Sequence, residues 1–364
     1  MENLTKEDYH MWLCGIEGIG SKKLWNLVEH IPEAAQIFHA PESCLEKVIG
    51  ITKKDVHNIV ESRKKYNPDF WKNQLAALEM KCITFFSEEY PAAMRKIYQP
   101  PKRLFYRGSF PTEEYRIAIV GARDCTLYGR QMAKHFSSVL AAEGMGIISG
   151  MARGIDGWAH QGALEGGGKT YAVLGNSAEI CYPREHERLY QSIIRRGGVI
   201  SEYPPHTEAH PGYFPMRNRI ISGLSQAVLV VEAREKSGSL ITADQALEQG
   251  KDVFVVPGRV GDALSEGCNN LIKQGASLVT KPEEILESFG VKSKKKEKDF
   301  IKNNIYLETK EKMVYASLSL EPKNVNTLAG ELRMQQTEVM RCLLSLQKIG
   351  IIQEIGNHYY IKCC

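Results

Sequence analysis

The sequence predicts an α/β protein whose central domain is an open, mostly parallel sheet covered by helices. Seven short apolar runs predict the strands, and they are continuously apolar rather than alternating, as in strands buried on both faces. Segments of helical period separate them, and this strand–helix alternation is typical of an open α/β sheet. The runs cover residues 117–120, 146–149, 170–174, 198–201, 227–232, 252–256 and 277–280.

The N-terminal segment, residues 1–75, predicts a separate helical domain with short glycine turns. Residues 15–24 have the pattern of a helix-hairpin-helix around Gly18, and residues 48–54 look like a degenerate second copy around Gly50. Such turns expose backbone N–H groups beside lysines and can bind phosphates without reading bases. A small helical bundle used for protein contacts fits the pattern equally well.

The central domain is predicted to span residues 80–290. Met132, Phe136, Val139 and Leu140 share one helical face between the first two predicted strands. In open parallel sheets, ligands bind beyond the carboxyl ends of the strands. The turns that follow each strand are therefore the first place to look for a site.

The C-terminal part predicts a charged linker and a winged helix. Residues 291–304 carry a lysine-rich run without apolar period, which is typical of a solvated linker. Within residues 305–364 we predict helices over 325–332 and 337–348, with Val339, Leu343, Leu346 and Ile349 facing inward, and a hairpin that turns at Gly356-Asn357. The second helix offers few basic or amide groups, so a protein-contact or structural role is favoured over base reading.

Composition narrows the classes of function. The net charge of +4 permits a polyanionic partner without demanding one. No stretch approaches the roughly 18 apolar residues that span a bilayer, and the N-terminus has no secretory pattern, so we expect a cytoplasmic protein without a membrane partner. The nine cysteines have no metal-binding spacing, which predicts reduced thiols and no metal site.

Three predicted strand-to-helix turns carry glycine beside Ser, Thr or Arg. Glycine allows a ligand to approach the backbone, and the N–H groups of a helix start attract anions. Three such turns together favour phosphate binding, although tight helix–sheet packing alone would also explain glycine. Neither a P-loop nor a Gly-x-Gly-x-x-Gly motif is present, so we expect no cofactor. The candidate residues are Gly121, Arg123, Ser149, Gly150, Arg153, Ser237 and Gly238.

Two further segments combine arginine with aromatic residues. Phe214 precedes Arg217, Asn218 and Arg219 by a few residues, and arginine binds phosphates while exposed aromatics stack on unpaired bases. One of these arginines could instead pair with a buried acid such as Glu232. The other segment holds Tyr182 and Arg184, where a proline turn before a solvated helix is the simpler alternative.

Together these motifs resemble the DNA-processing protein A family (DprA, also called Smf). The resemblance covers roughly residues 80 to 285 in order. It rests on Val-Gly-Ala-Arg123, Ser149-Gly-Met-Ala-Arg-Gly-Ile-Asp156 with Ala159-His160, Tyr182-Pro183, Ser201-Glu202-Tyr-Pro, Phe214-Pro-Met-Arg-Asn-Arg-Ile-Ile-Ser-Gly-Leu-Ser225, Val231-Glu232-Ala, Ser237-Gly-Ser-Leu-Ile-Thr-Ala243, Val256-Pro-Gly258 and Gly267-Cys-Asn269.

The resemblance implies an extended Rossmann-like fold that binds single-stranded DNA without sequence specificity, forms a homodimer and loads the RecA recombinase in natural transformation. The family's basic contacts fall on Arg123 and Arg184. Three departures concern the same region: position 122 is Ala where the family often has Ser, residues 177–179 read Ser-Ala-Glu where Gly-x-Asp is frequent, and Arg184 stands where Lys is usual. Glu179 would bring a negative charge near the proposed groove.

The leading hypothesis is therefore a non-enzymatic protein that holds single-stranded DNA in a glycine-rich groove. A nucleotide phosphoribohydrolase on a related fold is the enzymatic alternative, with Asp156, His160 and Glu232 as conceivable acid–base groups. A transcription regulator that uses the winged helix is the third.

Overall fold

The computed structural model describes residues 4–291, 307–319 and 321–362. The chain divides into two compact units, Met1–Phe289 and Gly290–Cys364. The predicted linker over residues 291–304 lies, apart from its first residue, outside the described residues. The separate N-terminal domain predicted over residues 1–75 belongs to the same compact unit as the sheet.

Six helices form the N-terminal part of the first unit, and they contain a structural repeat. Gly18 and Gly50 both have positive φ, at 76° and 83°. Asn26 donates to the carbonyl of Ile49, and Asn58 donates to the carbonyl of Glu17, so each hairpin turn is held by an asparagine of the other copy. The helices are α1 Lys6–Gly15, α2 Ser21–His30, α3 Ala34–His39, α4 Glu42–Leu45, α5 Lys53–Lys65 and α6 Pro68–Ala77.

A nine-stranded sheet organises the rest of this unit, in the order β1-β2-β6-β5-β4-β3-β7-β8-β9. The strands are β1 Lys81–Thr84, β2 Arg103–Gly108, β3 Arg116–Val120, β4 Gly146–Ser149, β5 Thr170–Leu174, β6 Gly198–Ser201, β7 Ala227–Val230, β8 Asp252–Val255 and β9 Ser277–Leu278. Neighbours from β6 to β9 in this order are parallel, and β2 joins β6 antiparallel and pairs with β1. The predicted parallel sheet is confirmed, and β1 and β2 extend it beyond the predicted strands.

Helices cover both faces of the sheet. Side chains alternate along β5: Tyr171 and Val173 belong to the core under the helices of residues 213–224 and 238–248, while Ala172 and Leu174 belong to the core under the helix of residues 187–196. The helices are α7 Leu127–Ala142, α8 Ile155–Glu165, α9 Glu187–Arg196, α10 Tyr213–Leu224, α11 Gly238–Glu248, α12 Glu266–Lys273 and α13 Pro282–Ser288. Short 3₁₀ helices occur at Ala92–Lys96 and Arg184–His186.

The strand order creates a switch point at β3. The chain leaves β3 to build β4, β5 and β6 on one side, and returns to add β7 on the other side. The connections after β3 and β7 therefore diverge, which opens a crevice between the carboxyl ends of these two strands.

The second unit contains helices Thr309–Ser317, Val325–Leu332 and Gln336–Ile349 with a small antiparallel sheet, ordered β10 Lys323–Asn324, β12 Tyr359–Lys362 and β11 Ile352–Gly356. This is the element order expected for a winged helix. Two details differ from prediction. The hairpin turns at Asn357 and His358, both of positive φ, and Ile349 is 41% exposed because the helix ends there. No helix among the described residues is both long and apolar enough to span a bilayer.

Candidate nucleic-acid interface

A cavity of about 350 Å³ occupies the switch-point crevice. The turns after β3, β4 and β7 and the first turns of α10 line it together. The structure thus brings together predicted site residues from three separate segments. They are Gly121, Arg123, Phe214, Arg217, Asn218, Ser237 and Gly238.

The turn after β3 is held by a buried carboxylate. Glu232 is 4% exposed and accepts the backbone N–H and the hydroxyl of Thr126, which also caps α7. A Cβ at Gly121 would lie 2.6 Å from a side-chain carbon of Ile155 and 2.8 Å from the Glu232 carbonyl oxygen, so only glycine fits there. Arg123 follows this rigid turn, and its side chain is exposed to the crevice.

The turn after β4 is closed by internal hydrogen bonds rather than left open for a ligand. Asp156 accepts the N–H groups of Gly150 and Ala152 at 3.2 and 3.4 Å, while Arg217 donates to the carbonyls of Gly150 and Val173. Burial raises the pKa of the Asp156 carboxyl and lowers the pKa of the Arg217 guanidinium to about 10. The Gly150 amide, which we expected to bind phosphate, is therefore already paired.

Three other predicted contact residues are buried supports of the crevice. Arg219 is 6% exposed and its Nη2 donates to Glu202 at 2.6 Å. Arg217 is 4% exposed. Ser149 is fully buried and donates to the carbonyl of Ile119. Burial and internal hydrogen bonds give these side chains a structural role, and Arg217 in addition lines the cavity. The expectation that one arginine pairs with an acid holds, but the acid is Glu202 and not Glu232.

The turn after β7 presents an open helix start. Ser237 accepts the N–H of Ser239 at the start of α11, and Asn218 donates to the carbonyl of Gly238 at 3.2 Å. Arg234 and Lys236 are exposed at the same turn and also line the cavity. Neither cation is among the candidate residues predicted from the sequence, although Lys236 stands directly before the Ser-Gly motif.

Aromatic side chains form one wall of the crevice. The rings of Tyr182 and Phe214 are 5.6 Å apart at 30°, and the Arg123 guanidinium lies 5.5 Å from the Phe214 centroid. Tyr182 is 47% exposed. Planar, partly exposed rings beside a guanidinium are suited to stacking on unpaired bases.

The turn after β5 completes the rim. Arg184 is exposed at the start of its 3₁₀ helix, whereas Arg153 forms an exposed ion pair with Glu185. The carboxylate of Glu179, which we expected near the groove, is turned inward. It accepts the hydroxyl of Ser177 and the N–H of His206, and so holds the loop that precedes α10.

The conceivable acid–base groups are tied into the scaffold. His160 is fully buried with its Nδ1 2.6 Å from the Thr170 hydroxyl, and burial lowers its pKa to about 3. Asp156 and Glu232 hold the turns described above. These contacts give each of the three groups a structural role.

The two N-terminal hairpins differ in how their turns are closed. The Lys102 ammonium donates to the carbonyls of Ile16 and Ile19, behind the first turn, and burial lowers its pKa to about 8. Asp55 accepts the N–H of Thr52 in the second turn and pairs with Lys23 at 2.7 Å. Of the lysines expected beside the first turn, Lys22 is exposed and Lys23 is engaged.

Comparison with known proteins places these features in context. Residues 81–290 match the family described as DNA recombination-mediator protein A. Protein Smf of Escherichia coli is 41% identical over 283 residues, 75% of each chain. DNA processing protein DprA of Bacillus subtilis is 43% identical over 207 residues, 56% of this chain and 70% of that protein.

Two solved structures share the fold. DNA processing protein A of Streptococcus pneumoniae superimposes with a TM-score of 0.65 at 31% identity, covering 78% of this chain and 98% of that one. A structure of DNA processing protein A from Helicobacter pylori, described for its single-stranded DNA binding mode, gives a TM-score of 0.53 at 30% identity, covering 58% of this chain and 95% of that one.

Proposed function

Because this chain belongs to the DNA recombination-mediator protein A family, we propose that it binds single-stranded DNA along the carboxyl rim of its sheet without reading base sequence. The observation that carries this proposal is the crevice at the switch point, where three exposed cations face an aromatic wall. Arg123, Arg234 and Lys236 supply the charge, and Phe214 and Tyr182 supply the rings.

Sequence independence follows from the kind of contact available. Guanidinium groups and the N–H groups at the start of α11 suit phosphate oxygens, which are the same at every nucleotide. Every base has a π-face, so stacking on Tyr182 or Phe214 tolerates any sequence. A track from Lys236 through Arg123 to Arg184 follows the order of β7, β3, β4 and β5 along the rim.

In the cell, we propose, the protein is a cytoplasmic recombination mediator and not an enzyme. A homodimer would protect incoming single strands and load the RecA recombinase on them during natural transformation. The family description as a recombination mediator supports this role. The test of this role is to measure how fast RecA assembles on single strands with and without the protein, using the DNA-dependent ATP hydrolysis of RecA as the signal. A protein that does not accelerate RecA assembly would contradict the proposed role. Release of adenine from AMP would instead favour a phosphoribohydrolase.

Strand binding is tested by fluorescence anisotropy of a labelled oligothymidylate over a salt series. The Arg123→Ala, Arg184→Ala double variant should bind roughly tenfold more weakly at low salt, a loss of about 1.4 kcal/mol. The slope of log K against log salt should fall by about 1.4, since each lost phosphate contact removes about 0.7.

The matched control is the Arg195→Ala, Arg196→Ala double variant. These exposed arginines end α9 and directly precede β6, so they lie at the opposite edge of the sheet. The control should bind as the wild type does. Equal binding by both double variants and the wild type would exclude the proposed groove.

A further inference from the structure

A second cavity lies at the same sheet edge, outside the crevice. It has a volume of about 290 Å³ and is enclosed by α1, α5, α6 and the first residue of β2. Aromatic side chains provide much of its lining, and a guanidinium provides its main donor. The aromatic residues are Trp12, Tyr66 and Trp71, and the guanidinium belongs to Arg103.

Arg103 is an arginine without an acceptor. Its guanidinium carbon lies 5.3 Å from the ring centroids of both Trp71 and Phe105. No hydrogen bond or ion pair joins it to another described residue, whereas Arg107 on the same strand donates to Glu79 and Tyr190. A partly buried guanidinium with five unused donors favours a ligand that carries acceptor atoms.

Tyr66 offers a second unused polar group in this cavity. Its hydroxyl oxygen is buried and has no hydrogen-bond partner among the described residues. Burial raises the pKa of the Tyr66 hydroxyl, so it stays protonated and can donate. An unpaired buried polar group of this kind destabilises the folded state, a cost that a bound acceptor would remove.

The cavity belongs to the rim that carries the crevice. β2 runs antiparallel to β6, with Phe105 opposite Ser201, the last residue of β6. Arg103 stands two residues before Phe105 and so lies beyond the carboxyl end of β6. Four strand spacings separate β2 from β3, a lateral distance of about 19 Å.

We propose that this cavity takes one unpaired base of the same DNA strand that occupies the crevice, an inference that rests on the function proposed above. The base would lie among the indole and phenol rings, and Arg103 and Tyr66 would donate to its carbonyl or ring-nitrogen acceptors. Glu17, Glu61 and Lys65 also line the cavity, so the two carboxylates offset the charges of Lys65 and Arg103 and leave no net positive charge to favour a phosphate.

Size and spacing agree with a single base. The cavity is at the lower limit of small-molecule sites, which are typically about 300–1,000 Å³. Even at the duplex rise of about 3.4 Å per nucleotide, about six nucleotides span the 19 Å from the crevice, and an extended strand needs fewer. Long oligonucleotides can therefore fill both places, while the shortest fill only the crevice.

The test compares the full-length protein on oligothymidylates of 2 and 20 nucleotides, with the dinucleotide measured by competition. Arg103→Ala should weaken binding of the 20-mer about fivefold or more, the worth of one stacked base, and leave the dinucleotide unchanged. Lys81→Ala is the charge-matched control, because this exposed lysine lies on the neighbouring strand β1 and does not line the cavity. It should match the wild type on both lengths.

A wild-type measurement keeps the test independent of folding defects. A 20-mer carrying 5-iodouracil should crosslink to Trp71 or Tyr66, as mapped by peptide mass spectrometry. Absence of these crosslinks, together with equal 20-mer affinity for Arg103→Ala and the wild type, would overturn the inference while leaving the crevice proposal intact. Failure of the wild type to bind either length would instead refute the proposed function.

Discussion

The buried charges of Asp156 and Arg217 lead to a prediction about stability. Arg217→Met removes the guanidinium that donates to the carbonyls of Gly150 and Val173 and that interacts electrostatically with Asp156. Because Asp156 is only 7% exposed, its carboxylate would be left largely buried without this nearby cation. Removing one of two interacting buried charges costs about 3–5 kcal/mol, a large part of the roughly 5–15 kcal/mol that stabilises a typical domain.

A double-mutant cycle isolates the pair itself. Asp156→Asn keeps an acceptor for the N–H groups of Gly150 and Ala152 but removes the charge. The Asp156→Asn, Arg217→Met double variant should therefore be about 1–3 kcal/mol more stable than the sum of the two single losses indicates.

Urea unfolding followed by tryptophan fluorescence measures these differences. All four tryptophans lie in the first unit, so the signal reports on that unit alone. Linear extrapolation then gives the free energy of unfolding of each variant. A loss below about 1 kcal/mol for Arg217→Met, or strictly additive effects in the cycle, would refute the assignment of a coupled buried pair.

Three further predictions concern other parts of the site. Gly154→Ala should destabilise the first unit by roughly 2–6 kcal/mol, because φ is +72° and a Cβ would overlap backbone carbonyl oxygens of the turn after β3. The control Gly167→Ala, with φ of +77° and open space, should lose only the strain of about 1–3 kcal/mol in the same urea assay. His160 has its pKa lowered from 6.5 to about 3, so the unfolded chain takes up a proton first as pH falls below 6.5. By pH 4.5 the wild type should lose roughly 2–3 kcal/mol relative to His160→Gln, and parallel thermal-melt profiles for the two proteins would contradict this. Glu232→Ala should weaken oligothymidylate binding in anisotropy, since the N–H and hydroxyl of Thr126 lose their acceptor, while Glu232→Gln, which keeps one oxygen, should bind closer to the wild type.

The sheet could be predicted from sequence where strands are buried on both faces. β4, β5 and β6 have the predicted bounds, because continuous apolar runs there end at glycine or serine. β1 and β2 were missed, since each begins with a charged residue and β2 carries two arginines among its six residues. These strands exist because β2 pairs antiparallel with β6, a contact across about a hundred residues of chain.

The candidate site could be predicted in outline only. Sequence indicated the glycine turns, and the structure gathers those after β3 and β7 at one crevice. The sequence could not indicate that Arg219 pairs with Glu202, or that Arg234 and Lys236 are exposed cations of the crevice. Residue type and spacing are the same for a buried and an exposed arginine.

The amino-acid sequence by itself determined the strand–helix alternation, the positions of the glycine turns and the membership of a family, because these depend on local periodicity and on motifs in order. Only the tertiary structure decided which backbone N–H groups remain available to a ligand. Gly150 is paired through Asp156, six residues away, and Arg217, 67 residues away, whereas Arg103 has no hydrogen-bond acceptor among the described residues. Whether a polar group is satisfied depends on neighbours from other segments, and the strand order sets those neighbours.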